Sequence, residues 1–317
     1  MHLRGPGLAT IAVLAALLAA PEARAADRLP GTIDIPCAAT VLEQGADWYL
    51  PAGPPRALVW VQHGFARSSG HVGALASTFA DAGYLVFAPN MPFMNLSGCT
   101  LQNIGDNTAF LHDVAALFGT ASAPGGALST SLADAAQRAG RTVPTIPERL
   151  VFVGHSAGAE AVAYVAERLR THHLETWNTL RGVILLDPVR SFIGNNIDRA
   201  LDGISGTDLP TLTISAPPSP CNSFGIGTLA VRTRLDRPFL GVLLPSGVHT
   251  DAEGTSSDAM GEMLCGISES VNSSTLRRLA LGWMSDFVAG TRTPDFYPAA
   301  PHGTVPAAPA AHILTGY

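Results

Sequence analysis

The chain has 317 residues, a formal charge of −6 and 14% charged side chains against 47% from the apolar set, which suits one large buried core and argues against disorder. An acidic balance lacks the basic surface that displaces counterions from phosphates, so nucleic acid is not an expected partner. All 19 basic residues are arginine, which removes lysine Schiff bases, a lysine-bound pyridoxal cofactor and the P-loop lysine together; a compositional bias toward Ala, Arg, Gly and Pro accounts for the missing lysine.

Arg4, an apolar run over 8–20 and the small-x-small site Ala23-Arg24-Ala25 predict a secretory signal over residues 1–25. The run is shorter than the roughly 20 residues needed to span a bilayer. The mature chain is therefore expected to be secreted or periplasmic, with no stable membrane anchor after cleavage.

Residues 40–50 predict a strand or hairpin, and 57–62 (Ala-Leu-Val-Trp-Val-Gln) a buried strand that stops at His63-Gly64. A helix over 71–82, a short strand over 84–88 and a helix over 103–118 follow. The stretch 119–148 is rich in Gly, Pro, Ser and Thr and reads as an insertion near the site, with one short helix over 129–139. Strands over 149–153, 182–186, 209–215 and 239–244 then alternate with a helix over 157–170. A last helix over 273–289 repeats Leu276, Leu279, Ala280, Trp283 and Phe287 at helical spacing. Because parallel neighbours need crossover connections, this alternation predicts an α/β fold with a mostly parallel central sheet and helices on both faces. The expected organisation is a catalytic domain over 26–290 and a loosely attached Pro/Ala-rich tail over 291–317.

Gly154-His155-Ser156-Ala157-Gly158 follows the apolar strand Leu150-Val151-Phe152-Val153 and precedes a helix-forming run. In that context it reads as a nucleophile elbow, a turn so tight that the flanking positions must be glycine. Ser156 is the candidate nucleophile. The Ala157 N–H, at the positive end of the helix, is one candidate oxyanion donor. The Phe65 N–H, in the loop after the Trp60 strand, is the other, with Gly64 permitting close approach.

A base is expected downstream, where the histidines are His172, His173, His249, His302 and His312. The first two end the helix after the nucleophile and the last two lie in the tail, which leaves His249 in the loop 245–251. The loop 215–222 has no carboxylate, whereas Leu186-Asp187-Pro188 puts one at the C-terminal edge of the sheet, where catalytic groups gather. Asp187 is the candidate acid, with Asp208 and Asp236 as alternatives and Asp251 too near His249 along the chain. Phe65, Met91, Phe93, Met94 and Leu96 are read as either pocket lining or core. His249, Asp251 and Glu253 leave a metal-dependent hydrolase as a competing reading, and loss of catalysis would leave a binding module on the same fold.

Cys37, Cys99, Cys221 and Cys265 form an even set without a Cys-x-x-Cys pair, so export favours two disulfides over a zinc site. Of three pairings, Cys221 with Cys265 is preferred, since both lie in loops on the side of the site.

At Gly-His-Ser, at Leu-Asp-Pro-Val about thirty residues later and at the early His-Gly-Phe, the sequence resembles the α/β-hydrolase superfamily, and within it the chlorophyllase-like and platelet-activating-factor-acetylhydrolase-like branches. It departs from chlorophyllases in having Ala157-Gly158-Ala159 where they carry Arg-Gly-Gly. Secreted cutinase-like polyester hydrolases are similar in compartment and size. The resemblance implies the α/β-hydrolase fold and a serine esterase that acts on a small-molecule or lipid-like ester without metal or organic cofactor.

Overall fold

A computed structural model describes residue 2, residues 26–300 apart from 122 and 124, and residues 303–317. The expected signal segment, except for His2, lies outside the described residues.

Among the described residues, nine strands form one sheet: β1 (Asp27–Cys37), β2 (Thr40–Leu50), β3 (Leu58–Gln62), β4 (Leu85–Pro89), β5 (Leu150–His155), β6 (Leu180–Leu186), β7 (Thr211–Ser215), β8 (Gly241–Leu243) and β9 (His312–Leu314). Their order is β1-β2-β4-β3-β5-β6-β7-β8-β9. The six strands from β4 to β8 in that order run parallel, while β1, β2 and β9 are antiparallel additions at the edges. The helices are α1 (Gly73–Asp81), α2 (Thr108–Gly119), α3 (Ala127–Arg138), α4 (Ala157–His172), α5 (Leu174–Trp177), α6 (Asn196–Ser205), α7 (Ile226–Arg234), α8 (Ala259–Cys265) and α9 (Ser270–Ala289).

The central strands are buried almost end to end and mostly apolar because both of their faces are covered. Leu58 and Trp60, Leu85 and Phe87, Leu150 and Phe152, and Val183 and Leu185 point to the side packed by α2, α3, α4, α6 and α7. The alternate residues Val59, Val61, Val86, Val151, Val153, Ile184 and Leu186 point to the side packed by α1 and α9. This period-2 division is the pleat of the strand. Trp60 anchors the first side, with Phe118 and Phe152 at centroid distances of 4.8 and 5.1 Å.

Two expectations need correcting. The tail over 291–317 is not loose: Tyr297, Val305, Ala307 and Ala308 are buried beside α9, and β9 pairs with β8 to complete the sheet. Tyr297, Val305, Ala307, Ala308 and Leu314 turn inward while most of the described prolines stay at the surface, so the segment is held by these apolar contacts rather than acting as a linker. None of the described residues of the insertion over 119–148 lines the cavity beside Ser156; α3 packs on β1, and the buried Trp48 indole donates to Ser131 Oγ at 3.0 Å. Both disulfides form, Cys37 with Cys99 and Cys221 with Cys265.

Candidate active site

The parallel strands end on one edge of the sheet, and β5, β6 and the segment after β8 each deliver a polar side chain there. Ser156 occupies the turn between β5 and α4 with φ 57° and ψ −122°, a conformation a side chain rarely adopts. A Cβ on Gly154 would fall on the Gly158 carbonyl, and one on Gly158 would come within 2.5 Å of the Gln62 and His63 carbonyl oxygens. Only glycine fits at either position. The turn is tied down by the Ser156 N–H, which donates to Leu186 O at 2.9 Å.

Asp187 follows β6, also in the left-handed region at φ 41°. Its N–H donates to Ile214 O at 2.8 Å, and its Oδ1 accepts from the Ala216 N–H at 3.0 Å and from Asn222 Nδ2 at 3.2 Å. Oδ2 is left for His249, whose Nδ1 lies 2.6 Å away. On the other side of the ring, His249 Nε2 lies 2.9 Å from Ser156 Oγ. An acidic oxygen at Nδ1 holds the ring proton there, so Nε2 presents its lone pair to the serine hydroxyl. All three side chains are buried.

Two further histidines support this arrangement. His155, between Gly154 and Ser156, donates from Nε2 to the His249 carbonyl at 2.9 Å, and the two rings lie 4.7 Å apart. Burial, reinforced by the nearby His249, lowers the His155 pKa to about 4, so the ring is neutral at neutral pH. His63 accepts the Met91 N–H at Nε2 (3.1 Å) and donates from Nδ1 to Gly64 O (2.8 Å). Burial lowers its pKa to about 4 as well. It thereby pins the loop that carries Phe65. A Cβ on Gly64 would lie 2.9 Å from Ser156 Cβ, so this loop abuts the serine. Ala157 opens α4, where an amide precedes the first intrahelical bond and is free to face a ligand.

Of the expected pocket residues, Phe65 alone lines the cavity beside Ser156. Met91 is core, while Phe93 meets the Phe65 ring edge at 5.5 Å and Met94 and Leu96 are exposed. Further apolar lining comes from α8 and the Cys221–Cys265 disulfide, and Arg67, His155, Thr250 and Glu253 add polar lining. Asp208 and Asp236 precede β7 and β8 and lie at the opposite edge of the sheet. Asp251 accepts the Val248 N–H and the Ser268 hydroxyl, and Glu253 binds Arg67. Among the described residues, no group of three His, Cys, Asp or Glu is placed to hold a metal ion. His302 lies outside the described residues. Asn222 and His155 escaped the sequence reading, although the first adjoins Cys221 and the second sits inside the motif.

No protein-family model matches the chain, and no curated protein sequence matches it. Solved structures do. A ferulic acid esterase from Streptomyces cinnamoneus superimposes with a TM-score of 0.59 and 16% identity, over 94% of this chain and 99% of its own. A dienelactone hydrolase from Anabaena variabilis gives 0.51 and 13%, over 83% and 98%. A fungal esterase from Rhizomucor miehei gives 0.52 and 12%, over 84% and 86%. Together with the strand order, these likenesses show that the chain has the α/β-hydrolase fold.

Proposed function

We propose that the protein is a serine hydrolase that cleaves carboxylic esters through an acyl-enzyme on Ser156. The observation that carries this reading is the continuous hydrogen-bonded chain Ser156 Oγ, His249 and Asp187. His249 Nε2 takes the hydroxyl proton as Oγ attacks the ester carbonyl, and Asp187 stabilises the imidazolium that results. The Phe65 and Ala157 amides would donate to the oxyanion. His249 then protonates the departing alcohol and activates the water that releases the acid. None of these steps requires a metal or an organic cofactor.

Solved neighbours described as esterases and a dienelactone hydrolase support the reaction class. The Gly-His-Ser to Leu-Asp-Pro-Val spacing supports an affinity with the chlorophyllase-like and platelet-activating-factor-acetylhydrolase-like branches. The N-terminal pattern and the two disulfides support a secreted or periplasmic enzyme. The test is labelling by a fluorophosphonate probe together with p-nitrophenyl butyrate hydrolysis. Both are expected in the parent and both lost in Ser156→Ala; a folded parent that does neither is a non-catalytic module.

A further inference from the structure

The cavity beside Ser156 has a volume of about 350 Å³. One wall is α8, which contributes Met260 and Leu264, with Phe65 and the Cys221–Cys265 disulfide adding apolar surface. The wall is fastened at both ends. At its start, Asp258 accepts the Gly261 N–H at 2.7 Å and is bound by Arg67 Nη1 at 2.9 Å and His71 Nε2 at 3.1 Å. At its end, Cys265 is tied to Cys221, and the next carbonyl, Gly266 O, accepts the Thr250 hydroxyl at 2.5 Å.

The charged groups around this space are already paired. Arg67 gives Nε and Nη2 to the buried Glu253 at 2.8 and 2.5 Å and Nη1 to Asp258. Thr250 is bound to Gly266, and His155 donates to the His249 carbonyl. The unpartnered His155 Nδ1 is buried and belongs to a neutral ring. An ionised group entering the cavity would lose its water and meet no free counter-charge. Hydrocarbon would lose nothing and gain the Met260, Leu264 and Phe65 surfaces.

We infer that this cavity binds the uncharged, apolar arm of the ester, and that α8 is a fixed wall that sets its length through Met260 and Leu264. The inference rests on the ester hydrolysis proposed above. At roughly 30 Å³ per small group, the space holds about a dozen non-hydrogen atoms. Each buried methylene should raise kcat/KM about fourfold until the space is full.

The test follows acid release in a pH-stat with two series below their micelle concentrations, ethyl esters of C2 to C12 acids and acetates of C2 to C12 alcohols. In one series kcat/KM is expected to climb about fourfold per methylene and to level off near ten to twelve carbons. Ethyl hydrogen adipate, with a carboxylate in place of the terminal methyl of ethyl hexanoate, is expected to be at least tenfold poorer. Leu264→Trp and Met260→Trp replace exposed side chains and should bring the plateau forward by several carbons, while Leu264→Ala should delay it. Flat profiles in both series, with ethyl acetate still hydrolysed in a Ser156-dependent way, would overturn the inference and leave the hydrolase reading intact. A plateau that no α8 variant moves would overturn the role of the wall. Failure to hydrolyse any ester in either series would overturn the proposed function itself.

Discussion

Asp187→Asn isolates the contribution of one proton's position. Oδ1 of Asp187 faces two donors, the Ala216 N–H and Asn222 Nδ2, so the introduced amide must keep its oxygen there and turn its NH₂ toward His249 Nδ1. Nδ1 then becomes an acceptor and the ring proton moves to Nε2, the atom that faces Ser156 Oγ. A base already protonated on that atom cannot take the serine proton. Loss of tautomer control of this kind lowers turnover about 10⁴-fold, equivalent to about 5 kcal/mol of transition-state stabilisation. The exchange conserves volume, so the melting temperature should hold and KM for p-nitrophenyl butyrate should change little while kcat collapses. A folded variant whose kcat stays within tenfold of the parent would refute both the tautomer argument and Asp187 as the acid.

Other outcomes follow from the same geometry. Asn222→Ala removes one of the donors to Asp187 and should lower kcat by roughly 10- to 100-fold, the worth of a hydrogen bond to a charged group, with KM little changed; steady-state kinetics decide. Gly154→Ala forces a methyl onto the Gly158 carbonyl and should destabilise by about 1–3 kcal/mol, read by urea unfolding. Cys37→Ser with Cys99→Ser opens a loop of sequence separation 62 and should cost up to about 4 kcal/mol; an unchanged unfolding midpoint would contradict it. His63 and His155, with pKa values near 4, bind fewer protons folded than unfolded between about pH 4 and 6.5. Stability should therefore be full above about pH 6.5 and fall by about 1.4 kcal/mol per unit for each ring as pH drops through that window. The buried Glu160 and Asp251, whose pKa values are raised, offset part of this loss. Urea titrations at pH 7, 6 and 5 measure the slope, and a flat profile would show that the two rings are not buried neutral.

The central strands and the turn at Ser156 were readable because their signals are local. An unbroken apolar run marks a strand covered on both faces, and the glycines at 154 and 158 are demanded by atoms within a few residues or on the adjacent strand. Asp187 was readable from its position at a strand end. Asn222 was not, because its role arises only when the loop after β7 folds back over Asp187, an event with no periodic signature. β1 escaped notice because Pro30, Gly31 and Pro36 interrupt it, although Leu29, Ile33, Ile35 and Cys37 alternate inward. The wall α8 is too short to show a helical period, and its apolar residues face a cavity and solvent rather than core. The tail misled for the opposite reason: its composition suggests a linker, yet tertiary contact with α9 and β8 orders it.

The backbone at Ser156 and Asp187, each held at positive φ, has a consequence for selection. Such positions cost of order 1–3 kcal/mol each in a residue with a side chain, and glycine relieves most of that. On the proposed mechanism, heat tolerance and turnover therefore pull against each other at residue 156, whereas at residue 187 the carboxylate's bonds to the Ala216 N–H, Asn222 and His249 offset the strain. A library ranked only by survival of heating would enrich glycine at 156 and, if the protein is the hydrolase proposed above, discard the activity while improving the scaffold. Stabilising changes compatible with catalysis must come from elsewhere, such as the exposed faces of the helices far from this edge.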